Sequence, residues 1–221
     1  MSIRTSELFN TDSAFFDELF RECAHPWEII PKIRDYVTDI VTRGIDGYVR
    51  LYDDVLVGQG VTIHESAVII GPAVIGHGTE IRPHVYIRGS VIVGNDCVIG
   101  NSTELKNCVL LDGAQVPHYN YVGDSILGRG SHLGAGAVCS NLKSDKSNVT
   151  IKFTDKIDTG LRKLGALVGD AAEIGCGCVL NPGTVIGKNT TVYPLTATRG
   201  VYPADSIVKD RDTVCKRVDK E

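Results

Sequence analysis

Long apolar segments and runs of like charge are both missing from this chain of 221 residues. No stretch approaches the roughly 20 consecutive apolar residues of a membrane-spanning helix, and the first residues carry acids without a signal-peptide core. Because 27 acidic residues outnumber 23 basic ones, the net charge of −4 offers no basic surface for nucleic acid or an anionic membrane. These absences predict a cytoplasmic protein whose partners are small molecules or other proteins.

A paired cysteine framework is missing as well. The seven cysteines are an odd number and form no CxxC motif, which predicts small reduced thiols rather than disulfides or a zinc site. Cys176 and Cys178 form a CxC pair, for which small packing residues are preferred as the explanation over a metal site.

Aromatic residues are scarce at 6%, whereas glycine is abundant with 24 residues. An aliphatic residue recurs at every sixth position in the series Ile63, Ile69, Ile75, Ile81, Ile87, Val93, Ile99, Leu105 and Leu111, which Pro117 continues. Because six is an even step, these residues share one face of an extended strand, whereas on a helix they would rotate away from each other. The repeating unit is therefore predicted to be a strand.

Glycine commonly follows the aliphatic residue, as in Ile75-Gly76-His77-Gly78, and supplies a sharp corner after each short strand. Three strands and three corners close one coil of eighteen residues, and stacked coils bury the aliphatic column. This pattern predicts an all-β fold, a left-handed parallel β-helix of hexapeptide repeats. The register slips between Pro117 and Leu127 and is interrupted near residues 140–162, a polar stretch that we expect to loop out.

Before the repeats, residues from about Asp12 to Arg43 have a helical pattern, with one apolar stripe formed by Phe15, Phe16, Leu19 and Phe20. We predict that residues 1–50 form a short N-terminal α-helical cap over the open first coil. Residues 51–205 would form the β-helix and residues 206–221 a C-terminal tail. An alternative is that the first segment docks a partner or a separate catalytic domain.

Two cations are placed one coil apart. Arg88 and Lys106 are eighteen residues apart, and each follows an inward aliphatic residue, so we expect them to lie one above the other on one face. Stacked cations repel unless an anion lies beside them, and a phosphate suits both. The alternative is two solvated surface charges.

His118 lies twelve residues beyond Lys106, two thirds of a coil, and therefore on a different face. If copies of the prism pack together, it could approach the two cations across the seam between them. Taken alone, an isolated histidine is more often a surface or structural residue.

Several motifs carry a family resemblance: Arg88, ELKN at 104–107, PHYNYVGDS at 117–125, LGAGAVCSNL at 133–142 and GLRKLGALVGD at 160–170. Together they resemble the acetyltransferase domain of bifunctional sugar-1-phosphate nucleotidyltransferase/acetyltransferases. The archaeal-type members are most similar, and bacterial glucosamine-1-phosphate acetyltransferases are also similar. The resemblance covers most of the chain after about residue 55.

The resemblance implies an N-acetyltransferase that uses acetyl-CoA to modify glucosamine or galactosamine 1-phosphate, in the biosynthesis of nucleotide sugars such as UDP-N-acetylglucosamine. It also implies a homotrimer with three active sites at the subunit seams and no metal. The residues that would match family positions are His118 as the catalytic base, Glu104 near the amine, Asn141 orienting the histidine or substrate, Arg88, Lys106 and Tyr121 at the phosphate, and the backbone around Ala135 at acetyl-CoA.

The chain also departs from the family pattern. His132 stands where bacterial members have a substrate-binding asparagine, and Leu142 stands where they have a tyrosine, which leaves the amino sugar open. The family's downstream lysine has only Lys143 or Lys146 as candidates. No glycine-rich phosphate loop precedes residue 50, so we expect no nucleotidyltransferase activity.

The fold is compatible with three other functions. A zinc carbonic anhydrase would need three converging histidines, and the six histidines, at 25, 64, 77, 84, 118 and 132, lack that spacing. A non-catalytic assembly or regulatory module is the second alternative. An acyltransferase acting on a different, nucleotide-linked sugar is the third, because hexapeptide scaffolds serve many substrates.

Overall fold

The computed structural model describes residues 3–12, 14–21 and 23–218, without the side chains of Ala14 and Phe15. Short strands succeed one another along three sheets, here called A, B and C, which form the faces of a prism. Within each sheet, strands from successive coils pair in parallel. The predicted left-handed parallel β-helix is therefore confirmed.

Sheet A contains nine strands: β1 (Val49–Tyr52), β2 (Val55–Val57), β5 (Ala73–Ile75), β8 (Val91–Val93), β11 (Cys108–Leu110), β14 (Ile126–Leu127), β19 (Ala166–Val168), β22 (Thr184–Ile186) and β25 (Val201–Tyr202). Sheet B contains nine strands: β3 (Thr62–Ile63), β6 (Glu80–Ile81), β9 (Val98–Asn101), β12 (Gln115–His118), β15 (His132–Leu133), β20 (Glu173–Ile174), β23 (Thr191–Val192), β26 (Ser206–Val208) and β27 (Val214–Lys216). Sheet C contains seven strands: β4 (Val68–Ile70), β7 (Tyr86–Arg88), β10 (Glu104–Lys106), β13 (Tyr121–Gly123), β16 (Val138–Cys139), β21 (Val179–Leu180) and β24 (Ala197–Thr198).

The six-residue series lines the interior as far as Leu105, and the residues from Ile75 to Leu105 in that series are almost fully buried. At the next two positions of the series the predicted register is wrong by one residue. Leu110 pairs with Val93 and Val116 pairs with Ile99, so Leu110 and Val116 line the interior instead of Leu111 and Pro117.

The register changes because two corners between sheets C and A are one residue shorter than the earlier corner between β7 and β8. They hold Asn107 and Asp124, whose φ angles of 48° and 47° lie in the left-handed region. Asn and Asp tolerate this region better than other residues with a side chain, so a single residue makes each turn. One slip therefore occurs after Leu105, which was not predicted, and the other occurs after Val122, within the predicted interval between Pro117 and Leu127.

Glycine at the corners has two separate reasons. Gly78 has a φ of 67°, where L side chains are strained. Gly76 has an ordinary φ, but a Cβ at this position would lie 2.6 Å from the backbone nitrogen of Asn95 in the next coil. Close stacking of coils therefore excludes a side chain there.

The N-terminal segment forms α1 (Thr5–Leu8), α2 (Ala14–Phe20), a 3-10 helix (Pro26–Lys32) and α3 (Ile33–Arg43). Phe16, Leu19 and Phe20 of the predicted apolar stripe are buried, and Phe15 lies outside the described side chains. No helix in the described part of the chain is long and apolar enough to cross a membrane.

The predicted N-terminal helical segment is confirmed, but the contacts of its longest helix do not lie over the end of the first coil. Instead α3 packs against β5 and β8, on the outer face of sheet A. That face is apolar, because Val74, Ile92, Val109 and Ile126 join the helices in one buried cluster. Docking on this side buries the outer apolar face of sheet A as well as its inner face, which removes both from water.

Between β16 and β19 the chain leaves the coils and forms an antiparallel hairpin of β17 (Thr150–Lys152) and β18 (Lys156–Asp158). At the other end, part of the predicted tail continues the prism. Strand β26 stacks on β23, and β27 then pairs antiparallel with β26. Residues 219–221 of that tail lie outside the described residues.

Candidate functional site

The outer face of sheet C gathers half of the predicted site residues on three consecutive coils, namely Arg88, Glu104, Lys106 and Tyr121. Leu105 pairs with Ile87, so Arg88 and Lys106 occupy equivalent outward positions of neighbouring strands, as their spacing predicts. Glu104 pairs with Tyr121 in the next strand. The stacking therefore brings together side chains that are up to 33 residues apart in the sequence.

Arg88 and Glu104 form an ion pair across two strands, with 2.7 Å between Nη1 and Oε1. This contact raises the pKa of Arg88 above its usual range, because the carboxylate stabilises the charged guanidinium. The pair is substantially exposed, and such pairs contribute little net stability. Arg88 can therefore exchange its carboxylate partner for another anion at small cost.

Lys106 has a different, more buried partner. Its Nζ lies 2.9 and 3.0 Å from the two carboxylate oxygens of Asp124, whose side chain is only 4% exposed. Asp124 was missed in the sequence, although it belongs to the PHYNYVGDS motif. The signal was its position directly after a strand whose neighbours carry the site.

Asn141 joins this group from the segment that follows β16. Its Nδ2 donates to the Tyr121 hydroxyl over 3.2 Å and also donates to Asp124. Half-burial raises the pKa of Tyr121, and the nearby carboxylates of Asp124 and Glu104 raise it further. The phenol therefore keeps its proton and has a donor left for a ligand.

Gly123 makes this approach sterically feasible. A Cβ at this position would lie 2.7 Å from Cζ of Tyr121 and 2.8 Å from Nδ2 of Asn141. Both distances are far inside ordinary contact, so a side chain here would displace the two groups.

His118 ends β12 in sheet B, on a different face from the cations, as predicted. It lies at the corner that leads into Tyr121, and its side chain is exposed. Within the described part of the chain the imidazole has no hydrogen-bond or ion-pair partner. A free imidazole at a corner is open to a ligand or to a second copy of the chain.

Ala135 and His132 lie one coil further along the prism from β12. Ala135 is exposed, and the amide of its neighbour Gly136 donates to the carbonyl of His118 over 3.0 Å. His132 begins β15 in sheet B, and its Nδ1 lies 2.9 Å from Oε2 of Glu173. The structure therefore places Ala135 beside His118 but does not bring His132 to the polar group on sheet C.

A further cation, Lys163, was missed in the sequence. Its backbone pairs with Leu142 in an isolated bridge, and the amide of Leu164 donates to the carbonyl of Asn141 over 3.1 Å. Lys163 is exposed at the edge of the site although the hairpin separates it from Asn141 in sequence. Lys146, by contrast, lies within the exposed excursion.

Among the described residues, no group of three His, Cys, Asp or Glu side chains is arranged to hold a metal ion. All seven cysteines are free thiols. Cys178 is buried and Cys176 is exposed, so the two thiols of the CxC pair do not face the same way. The two residues lie in the corner before β21 rather than on a strand.

Comparison with known proteins points to the same region. A family model described as "GMPPB C-terminal domain" matches residues 69–155, which include Arg88, Glu104, Lys106, His118 and Asn141. Among solved structures, a mutant of AntD, an N-acyltransferase from Bacillus cereus in complex with dTDP and coenzyme A, has a TM-score of 0.42 at 17% identity. It covers 80% of this chain and 93% of that chain, a similarity too low to bear on function.

Curated relatives are more similar in sequence. The "Bifunctional protein GlmU" of Methanococcus maripaludis (strain C5) is 30% identical over 176 residues, covering 78% of this chain and 43% of that protein. The "Bifunctional sugar-1-phosphate nucleotidylyltransferase/acetyltransferase" of Sulfurisphaera tokodaii is 31% identical over 184 residues, covering 81% of this chain and 46% of that protein. The chain thus spans less than half the length of these relatives. It is a hexapeptide-repeat β-helix domain that resembles the C-terminal acetyltransferase domain of the GlmU proteins.

Proposed function

We propose that this protein transfers the acetyl group of acetyl-CoA to the amino group of an amino sugar 1-phosphate, either glucosamine or galactosamine 1-phosphate. The observation that carries the proposal is the assembly of Arg88, Lys106, Tyr121 and Asn141 on one face, beside a corner with an exposed histidine. The sequence similarity to bifunctional sugar-1-phosphate nucleotidylyltransferase/acetyltransferases supports the same chemistry.

The phosphate is expected to bind between the two stacked cations. Arg88 exchanges its exposed ion pair with Glu104 for the phosphate, while Lys106 stays fixed by Asp124 and donates a second contact. The protonated Tyr121 hydroxyl donates a third hydrogen bond. Glu104, released from Arg88, would then lie near the amino group and hold it by an ionic hydrogen bond.

His118 acts as the general base. The amine nitrogen attacks the thioester carbonyl carbon, the imidazole accepts the amine proton, and a new C–N bond forms as the C–S bond breaks. The proton then passes to the departing sulfur, so that the products are free CoA and the N-acetylated sugar phosphate. Because His118 lies on a different face from the cations, we propose that a homotrimer brings sheet B of one copy to sheet C of the next.

The acetyl-CoA is expected to pass Ala135 and continue along the later coils of sheet C. A cleft of about 320 Å³ lies there, lined by Ser140, Leu142, Lys143, Ser144, Asp145, Asn181, Pro182 and Arg199. Its two cations, Lys143 and Arg199, suit the phosphate groups of the coenzyme.

The test measures release of free thiol from acetyl-CoA with glucosamine 1-phosphate and, separately, with galactosamine 1-phosphate. We expect release that requires a sugar phosphate and falls about 100- to 10,000-fold in His118→Ala, the usual contribution of a positioned general base. His64→Ala is the matched control, because His64 is another exposed histidine, directly after strand β3 of sheet B. If a folded trimer releases no thiol with either sugar phosphate, the proposal is contradicted. That result would favour a non-catalytic module or a nucleotide-linked acceptor.

A further inference from the structure

Asp124 is the most buried charged group of the site on sheet C. Besides the two contacts from Lys106, it accepts hydrogen bonds from Nδ2 of Asn107, at 2.8 Å, and from Nδ2 of Asn141. A buried carboxylate is costly unless donors surround it, and these three side chains provide them. Asp124 is therefore a hub to which two predicted ligand-binding residues are tied.

Asn107 links Asp124 to the N-terminal segment. Asn107 and Asp124 occupy equivalent corners of two successive coils, because Lys106 pairs with Gly123. Nδ2 of Asn107 also donates to the carbonyl of Ile30, at 3.2 Å, in the 3-10 helix that lies against sheet A. The carboxylate of Asp124 is thus held from one side by the N-terminal segment, and on the other side it holds Lys106 and Asn141.

We propose that Asp124 is a positioning residue for the sugar-phosphate site, one that fixes Lys106 and Asn141 without touching the substrate. The proposal rests on the proposed function. Its geometry excludes a role as proton acceptor for the substrate, since the carboxylate is buried and surrounded by donors from this chain. Without it, the long Lys106 side chain would lose its fixed orientation, and the phosphate would meet a mobile cation.

The experiment measures the dissociation constant of glucosamine 1-phosphate by calorimetry, together with the KM for each substrate. In Asp124→Asn we expect the sugar-phosphate Kd and KM to rise about 10- to 100-fold, because misplacing a binding group by about 1 Å has effects of this size. The KM for acetyl-CoA should not change. A residue that only supports the fold would lower the melting temperature without this selective effect.

The matched control is Asp112→Asn. Asp112 accepts a hydrogen bond from the Arg129 guanidinium over 3.1 Å and one from the backbone amide of Asn95 over 2.8 Å, at the corner between sheets A and B rather than on sheet C. Asp112→Asn therefore removes a carboxylate–cation pair that is less buried than the pair of Asp124, and we expect lower stability with an unchanged sugar-phosphate Kd.

Asn107→Gly is the second variant, in case Asp124→Asn does not fold. Glycine keeps the positive φ of this corner and leaves the Asp124 charge in place, but it removes the link to Ile30. We expect a folded protein with a smaller rise in the sugar-phosphate Kd.

Each outcome is decisive. The positioning role is overturned if folded Asp124→Asn binds the sugar phosphate with the wild-type Kd. If that variant does not fold, a wild-type Kd in Asn107→Gly overturns it instead. An equal rise of the sugar-phosphate Kd in Asp112→Asn also overturns it. If wild-type protein binds the sugar phosphate without transferring acetyl, the proposed function fails, but the Kd values of the variants still test the positioning role of Asp124. If wild-type protein does not bind the sugar phosphate, both proposals fail together.

Discussion

Gly123→Ala should spare the fold and disable the site. The added Cβ would lie 2.8 Å from Nδ2 of Asn141 and 2.7 Å from Cζ of Tyr121, against an optimal separation of about 3.5–4.0 Å. Both groups must therefore move by about 1 Å, and a misplacement of that size costs on the order of 100-fold in rate. The colliding atoms belong to side chains rather than to backbone, so we expect the lower end of the overpacking cost, about 1 kcal/mol of unfolding free energy.

The assay is thiol release with a sugar phosphate, paired with urea unfolding of the same preparation. Tyr121→Ala removes the ring with which the new methyl group collides, so Gly123→Ala should cost less activity in that background than in the wild type. Wild-type activity in Gly123→Ala, or fully additive losses in the double variant, would refute the steric reasoning. An unfolded Gly123→Ala protein would show that the overlap cannot be relieved by side-chain movement.

Two further predictions concern the core. Ile40→Ala should lower the free energy of unfolding by about 2–5 kcal/mol, because Ile40 is fully buried between α3 and sheet A; an unchanged urea midpoint and slope would contradict the observed docking of α3. Burial raises the pKa of Cys97 and of Cys139 to about 12. At pH 8 an alkylating reagent should therefore modify exposed Cys176 first in the folded protein, and these two cysteines only after denaturation. Equal labelling rates, measured by peptide mass spectrometry, would contradict this reasoning.

The six-residue period was sufficient to predict a parallel β-helix, because only a strand with an even repeat keeps the aliphatic column on one face. It failed at Leu111 and Pro117 because a corner can lose a residue without losing an inward aliphatic position. Leu110 and Leu111 are adjacent and chemically alike, so hydrophobicity alone did not distinguish the two registers. The choice was made by a turn at Asn107 that needs only one residue with positive φ.

The position of the helices also had an unused signal in the sequence. Strands of sheet A, such as β8 with the sequence VIV, are apolar at three consecutive positions and buried at all three. A strand that faces water on one side alternates apolar and polar residues, so consecutive apolar residues indicate cover on both faces. This pattern indicates that another element covers the outer face of sheet A, and the amphipathic helix α3 has the apolar face needed to cover it.

The sequence by itself determined which residues share a face, because spacing along a coil of nearly constant length converts directly into position. The stacked positions of Arg88 and Lys106, and the separate face of His118, follow from that arithmetic. Only the tertiary structure decided which partners those side chains have. The buried carboxylate of Asp124, the space left by Gly123 and the approach of Lys163 depend on short corners and on a long excursion, where distance along the chain no longer determines distance in space.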